Sequence, residues 1–545
     1  MLIDFNRHPD VELNCDICIV GGGAAGAVLF DVLTATKLKV ILVESGGLEL
    51  DPETQRLNEG FLELNGRKAK EDFAHLDSHR LRVLGGTTQI WGGGCKPFQA
   101  VDFLSRSWVK DSGWPFDLGE LGRFYSEAKR YVEISADVFD EKLWGILGIQ
   151  PPYKFNFDEI STIFSVKSGF LADQGYLNWP GPVNFSKYLT NADAQRSANL
   201  VLYNATLTDL KSDVGGVVRY SEVTNAQFKR RKIQAKIFVL AAGGWENPRI
   251  LLNANTGAGI GNATDCVGRY YLGHPYGWPA DLICPNKAIA TELAWKFQYY
   301  KVGNNRAQPH FAWKESTQRR HQLLSTGIWL VPEYDKNSAV YKAMDLRDKI
   351  RYGGISAADV SFSDVTILLS ELDDVLANAF RKLSNQGVHS RMMEKIPLLY
   401  IQEGTPKRHS RIYLAQEKDR FGLRKIVLDW HFEEQEIQNI YKVFKLFAAT
   451  AREFGWGHIQ FRPVADVNSD HPTRGLEEAA HPSGATRISS DANKGVVDGN
   501  LKVHAVKNLY VCGSSVFPTN SYVSPTFTIV ALAARLAKHL QGVRT

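Results

Sequence analysis

Short apolar runs with β-branched residues punctuate the chain at its start. Ile17, Ile19 and Val20 form one, the pattern of a buried parallel strand. Gly21-x-Gly23-x-x-Gly26 follows, and Ala24–Leu33 reads as the helix it opens. A second run, Val40–Val43, ends at Glu44. A third, within Ala235–Leu240, passes into the small residues Ala241-Ala-Gly243 and then into a helix. Apolar residues at helical spacing predict helices over 118–134, 364–383 and 433–454. The alternating segments Arg411–Leu414 and Ile426–Trp430 read as strands of a large, mostly antiparallel sheet. Near the C-terminus, Ser524-Pro525 precedes an apolar stretch running to Leu540, with Ser placed as the cap and Pro as the first helical residue. The fold class is α/β within one region and α+β overall: a nucleotide-type parallel sheet beside a second domain built on an antiparallel one.

The glycine spacing carries chemistry. The first glycine of the triplet permits a tight turn, the second a close approach of a pyrophosphate to the backbone, the third close packing of helix on strand. The first helical amides, at Ala24 and Ala25, would face phosphate. An acid about 20 residues on, here Glu44, is placed to read ribose hydroxyls, and Glu rather than Arg argues against a 2′-phosphate. This fingerprint alone does not separate NAD from FAD. A second glycine-rich loop follows, from Arg82 through Gly85-Gly86-Thr87 to Trp91-Gly92-Gly93-Gly94, and its glycines permit close approach to a flat ligand.

At this point the chain resembles the glucose–methanol–choline (GMC) oxidoreductases, FAD-dependent alcohol and sugar oxidases and dehydrogenases. The resemblance runs in order through the glycine triplet, Leu84-Gly-Gly-Thr-Thr, Gly113-Trp-Pro115, Ala241-Ala-Gly243, Val267-Gly-Arg269 with His274-Pro275, Ser410-Arg411, His481-Pro-Ser-Gly-Ala and Pro525-Thr526. Residues from about 280 to 400 carry no family motif. The resemblance implies a Rossmann-like FAD-binding domain in three pieces, 1–105, 191–273 and 465–545. The substrate domain takes 106–190 and 274–464. It implies cofactor contacts from Gly21, Gly23, Ala24, Ala25, Gly26, Glu44, Ser45, Arg82, Gly85, Gly86, Thr87, Trp91, Gly92, Gly93, Ala242, Gly243, Ser514, Ser515, Pro525 and Thr526.

Alcohol oxidation needs a base for the hydroxyl proton, a hydride acceptor and stabilisation of charge on that acceptor. Flavin N5 would be the acceptor, and His481, in the family's His-x-x-Gly element, the base. An imidazole titrating near neutrality suits that role. His274 matches a family position near the domain boundary and is expected to be structural; His471 matches no motif. The chain departs from the family at Ser524, where Asn or His usually precedes the Pro as second catalytic group. Ser524 is then either a helix cap alone or a cap whose hydroxyl also meets the substrate oxygen. Gln89-Ile90 stand where some family members carry a flavin-linking His, so the FAD is expected to be non-covalent.

Global properties narrow the partners. A 545-residue chain with 44% hydrophobic and 11% aromatic residues forms a large core over two or more domains. A net charge of +5 is too mild to imply nucleic acid. The basic run Lys229–Lys232 reads as a solvated hairpin turn. The aromatics from Trp295 to Trp313 are either sheet packing or a sugar-stacking wall. The six cysteines show neither paired nor metal-ligand spacing, so no metal is expected, and Cys18 falls in the buried strand. No long apolar stretch predicts a membrane span, and the first residues show no signal core, which leaves a cytoplasmic expectation. The expected partners are a small alcohol, sugar or glycoside and an electron acceptor: oxygen, a quinone or a partner protein. Dehydrogenase is slightly preferred to oxidase, and the oligomeric state is open. A flavoprotein lyase or a non-redox binding subunit on the same scaffold is the alternative.

Overall fold

The computed structural model describes residues 1–8, 13–68, 76–77, 79–149, 160–169, 181–190, 199–331, 333, 335–352, 361–383, 394–462 and 476–543; His471 lies outside them. Two large sheets organise the molecule. The first has eight strands. Its parallel part runs Leu2–Asp4, Leu200–Tyr203, Val40–Val43, Asn14–Val20, Arg230–Leu240, and Leu509–Val511 pairs with the end of the last of these. Val40–Val43 and Ile17–Val20 are almost wholly buried, which is why they read as unbroken apolar runs. The first half of Arg230–Leu240 instead pairs antiparallel with Val218–Thr224, which pairs with Thr206–Ser212. Of the basic run, only Lys229 lies in that hairpin turn; Arg230, Arg231 and Lys232 already belong to the strand and pair with Thr224, Val223 and Glu222, so the turn expected there is corrected.

Helix Ala24–Thr34 packs on the C-terminal helix Thr526–Gly542, which packs in turn on Leu118–Val132. Glu133, in the left-handed conformation, ends the last of these. The two ends of the chain thus share one core. The second sheet has nine strands, antiparallel at every pairing: His458–Phe461, Pro275–Ile283, Lys395–Gln402, Thr326–Leu330, Asn305–Trp313, Ile160–Lys167 and Gly94–Cys95, with Tyr300–Val302 and Glu477–Glu478 paired at its sides. Phe297, Phe311 and Trp313 are buried here, Phe297 and Phe311 with ring centroids 4.7 Å apart, so this aromatic run is core packing. Tyr299 is the exception; it is exposed, with the Lys167 ammonium 5.9 Å from its ring.

Three further expectations are corrected. The helix expected over 364–383 is two, Phe362–Ser370 and Leu372–Leu383, broken at Glu371. Arg411–Lys418 and Arg424–Trp430 are strands but lie outside the large sheet. They form a four-stranded sheet with Gly60–Leu64 and Arg67–Lys68, in which Arg424–Trp430 runs parallel to Gly60–Leu64. Ser524 does not cap the C-terminal helix. Pro525 occupies the cap position with helical φ/ψ (−74°, −19°), which moves Ser524 one residue too far back to reach the first-turn amides, and no side chain caps them.

Candidate active site

The parallel strands Asn14–Val20, Val40–Val43, Arg230–Leu240 and Leu509–Val511 point their carboxyl ends at one cavity of ≈ 530 Å³. Its wall takes Gly21–Ala25 after the first strand, Glu44 and Ser45 after the second, Ala241–Glu246 after the third, and Gly513 and Ser514 after the fourth. Outside the carboxyl ends of a parallel sheet is where such folds bind ligands.

The glycine triplet is required by contacts here. Gly21 has φ +105°, and a Cβ on it would come 2.6 Å from the Ala241 carbonyl oxygen. A Cβ on Gly26 would come 1.8 Å from the Gly21 carbonyl oxygen, so helix and turn touch backbone to backbone. Gly23 differs: a Cβ there would meet no protein atom within 4 Å, and the space is cavity. Glu44 is buried and accepts from the amides of Gly22 (2.7 Å) and Gly46 (2.8 Å). Burial pushes its carboxyl above the ordinary value, against those two hydrogen bonds and the nearby Arg82. Arg82 itself is held by Asn58 (2.8 Å), Ser45 (3.2 Å) and Glu246 (2.9 Å). Despite its burial, Glu246 is held down to about 2 by Arg82, Arg249 and Arg80.

His481 also lines this cavity. The amides of Ala480 (2.9 Å) and His481 (3.1 Å) donate to Glu478, and Ser514 Oγ donates to the Pro482 carbonyl (2.6 Å). The segment is therefore fixed on both sides of the imidazole. His481 Nδ1 lies 3.0 Å from His274 Nδ1, the rings edge to face at 83°. Burial lowers His481 to about 4, below the near-neutral value expected from the sequence, so the ring is neutral at pH 7. Burial and His481 together push the wholly buried His274 well below its usual value. Burial raises Glu478 to about 7.

Ser524, Pro525 and Thr526 complete the cavity at the start of the C-terminal helix. A Cβ on Gly94 would come 3.8 Å from Ser524 Oγ, so the serine faces the glycine-rich loop. The first turns of Ala24–Thr34 and Thr526–Gly542 both lack a side-chain cap and both border the cavity. Uncapped helix starts present free amides and positive potential. That pair of helix starts, the open face of Gly23 and the buried Glu44 form a donor set that fits a dinucleotide with a pyrophosphate centre.

Among the residues singled out in the sequence, three sit behind the wall. Gly26 packs the helix on the turn. The Gly85 amide donates to the Gly22 carbonyl (3.1 Å), joining the second loop to the first. Ser515 Oγ is bonded to Asn247 Nδ2 (3.0 Å). The other expected cofactor contacts line the cavity with His481 and Ser524; His274 lies outside its lining. The cavity also takes residues that sequence reasoning missed: Asn58, Arg80, Lys167, Trp245, Glu246 and Ala480. Lys167 Nζ donates to the Gly92 carbonyl (2.7 Å), and Arg80 lies 5.2 Å over the Trp245 ring. No motif marks them; only Glu246, next to the small residues after a strand, carried a positional signal.

Residues 406–533 match a family model described as GMC oxidoreductase. Several curated proteins align over nearly the whole chain, two of them as follows. Paromamine 6'-oxidase of Streptomyces fradiae is 21% identical, covering 97% of this chain and 91% of that protein. 2-Methyl-1,2-propanediol dehydrogenase of Mycolicibacterium austroafricanum is 22% identical, covering 96% and 95%. The family match and these relatives make the chain similar to the GMC oxidoreductases. The solved structure of pyridoxine 4-oxidase from Mesorbium loti shares the fold, with TM-score 0.55 and 18% identity over 98% of this chain and 100% of that one. The family uses FAD, and the donor set just described is one that FAD fits.

Proposed function

We propose that the chain is a GMC oxidoreductase that binds FAD non-covalently in the ≈ 530 Å³ cavity and oxidises the CH–OH group of a small alcohol, of the sugar or glycoside class. One observation carries the reading: strand ends from both halves of the chain, His481 and an uncapped helix start converge on a single cavity. Bound FAD would supply the hydride acceptor. The residues of this chain supply the rest. Gly21–Ala25 and Glu44 hold and orient the dinucleotide. His481, neutral at pH 7, takes the hydroxyl proton. The amides of the first turn from Thr526 favour negative charge across from it. Ser524, freed from capping, gives its hydroxyl to the substrate oxygen. Loop residues 85–94 contain no histidine, which supports non-covalent binding.

The named activities of the relatives support the substrate class: a 6'-oxidase of paromamine and a dehydrogenase of a small diol. Oxygen, a quinone or a partner protein then accepts the electrons. The test is anaerobic: the FAD-loaded protein is titrated with a panel of sugars and alcohols and its visible absorbance followed. Bleaching by at least one member is expected. A protein that cannot be loaded with FAD, or one that is loaded and never bleached, overturns the reading in favour of a lyase or a binding subunit.

A further inference from the structure

We propose that Lys167 is a specificity-determining residue: its ammonium takes the carboxylate of a substrate whose CH–OH lies at His481 and Ser524, which makes that substrate a hydroxy acid of the sugar-acid class. This rests on the alcohol oxidation proposed above and narrows its substrate.

Lys167 ends the strand Ile160–Lys167 and pairs directly with Gly94 in the antiparallel ladder. Directly opposite residues of such a ladder project on the same face, with Cβ positions roughly 5 Å apart. At Gly94 that face is turned to Ser524, since a Cβ there would come 3.8 Å from Ser524 Oγ. The Lys167 side chain therefore leaves its strand on the Ser524 side, and it lines the cavity together with Ser524 and His481. The glycine-rich loop fixes which end of the cavity this is. A Cβ on Gly86 would come 3.1 Å from Gly23 Cα, at the turn that would hold phosphate, whereas one on Gly92 would come 4.0 Å from Lys167 Nζ. The loop thus runs from the phosphate end to the Ser524 end, and Lys167 belongs to the second. Ile90, which lines the cavity, and Tyr299, whose ring centroid is 5.9 Å from the ammonium, are both exposed, so solvent and substrate reach this end.

The charges of the wall leave Lys167 without a counter-ion. Its two arginines, Arg80 and Arg82, are both paired with Glu246 (3.5 and 2.9 Å). No carboxylate among the described residues lies within ion-pair distance of Lys167. An ammonium carries three N–H donors, and one of these goes to the Gly92 carbonyl (2.7 Å). Two remain. Burial pulls the ammonium below its ordinary pKa, opposed by the Cys95 thiol and by no acid. A partly desolvated cation with two donors to spare gains most from an ionised acceptor, and two N–H groups match the two oxygens of one carboxylate. A neutral sugar would leave this charge uncompensated as it displaced water from the cavity.

The test uses the full-length, FAD-loaded protein and three acids, glycerate, gluconate and glucuronate. Each is set beside its methyl ester, which keeps the hydroxyls and removes the charge. In His481→Gln, where turnover is expected to be blocked, Kd is read from perturbation of the flavin absorbance. This readout needs no oxidation, so its failure is distinct from failure of the proposed reaction. In the wild type, kcat/KM for flavin reduction is read. At least one acid is expected to exceed its ester tenfold or more in both measurements. Lys167→Met, made in both backgrounds, is expected to weaken that acid about 10- to 100-fold, through KM more than kcat, and its ester no more than threefold. Lys167→Arg keeps a cation and is expected to recover most of the preference for the acid. Acids bound no better than their esters overturn the proposal. So does an equal loss for acid and ester in Lys167→Met; a fall in flavin midpoint potential alongside it assigns the cation to the reduced flavin. If Lys167→Met does not take up FAD, the acid-to-ester ratios of the wild type and of Lys167→Arg decide.

Discussion

His481 and His274 are neutral in the folded chain because burial disfavours their charged forms. An unfolded histidine titrates near its ordinary value of about 6.5. The sign follows: a group whose folded value is lowered lends stability that is complete above about 6.5 and is lost as pH falls toward the folded value, about 4 for His481. Wild-type stability is therefore expected to drop between pH 6.5 and 4. His481→Gln should remove roughly 2–3 kcal/mol of that dependence. Urea unfolding of both proteins at pH 7.5 and pH 4.5 checks it, and equal losses in the two would contradict it. The same lowering places the acidic limb of flavin reduction near pH 4 instead of near 6.5. Behind the site, Glu403→Gln breaks a buried bidentate pair and strands Arg106; it is expected to cost about 3–5 kcal/mol by chemical denaturation. His481 was legible as a residue because a short motif surrounds it. His274 carried a motif too, but its contact with His481 joins residues 207 apart along the chain, which no local pattern encodes. Glu403, Arg106 and Lys167 had no signal at all, since a single buried charge looks like any surface charge until its partner is placed.

Helices and strands were most legible where one short segment decides its own environment. The cradle strand, its glycines and the helix after them follow from apolar runs and from space that only glycine leaves. Gly26→Ala tests that reasoning. A Cβ 1.8 Å from the Gly21 carbonyl must push the helix off the turn, and FAD retention after gel filtration is expected to be lost while most secondary structure by circular dichroism remains. Retention of full FAD stoichiometry would show that the turn can shift. At the other end of the chain, the Ser524-Pro525 signal misplaced the cap by one residue, because a proline with helical φ and ψ serves equally as cap and as first helical residue. With no capping bond to lose, Ser524→Ala is expected to change stability by less than about 0.5 kcal/mol, against about 1 kcal/mol for a true cap. Flavin reduction by substrate in the same variant then reads the hydroxyl's contact separately. Strand partners were the least legible feature. Ile426–Trp430 looks like any alternating strand, and nothing in it announces that it runs parallel to Gly60–Leu64, more than 360 residues earlier.

The whole molecule brings both chain ends to one ligand. Val20, Leu240 and Val511 end neighbouring parallel strands, while Ala24–Thr34 packs on Thr526–Gly542 beneath them. Trp114 ties this arrangement to the rest: its indole donates to Thr519 (3.0 Å), which donates to the Asp102 carbonyl (2.9 Å), and its ring packs on Phe98, Phe103 and Phe517. The segment leading to Ser524 is thereby anchored against residues near the glycine-rich loop. A ligand that fills the cavity must then stabilise distant segments together. At FAD concentrations near one hundred times Kd, the native state gains about 2.7 kcal/mol. For a chain of this length that amounts to a Tm rise of roughly 2–3 °C. Hydrogen exchange locates the gain. Addition of FAD to the apoprotein is expected to slow exchange simultaneously at 21–26, at 82–94, at 479–482 and in the first turn from Thr526. Protection confined to 21–45, with the C-terminal segments unchanged, would mean that the N-terminal cradle alone holds the dinucleotide and that His481 does not close over it.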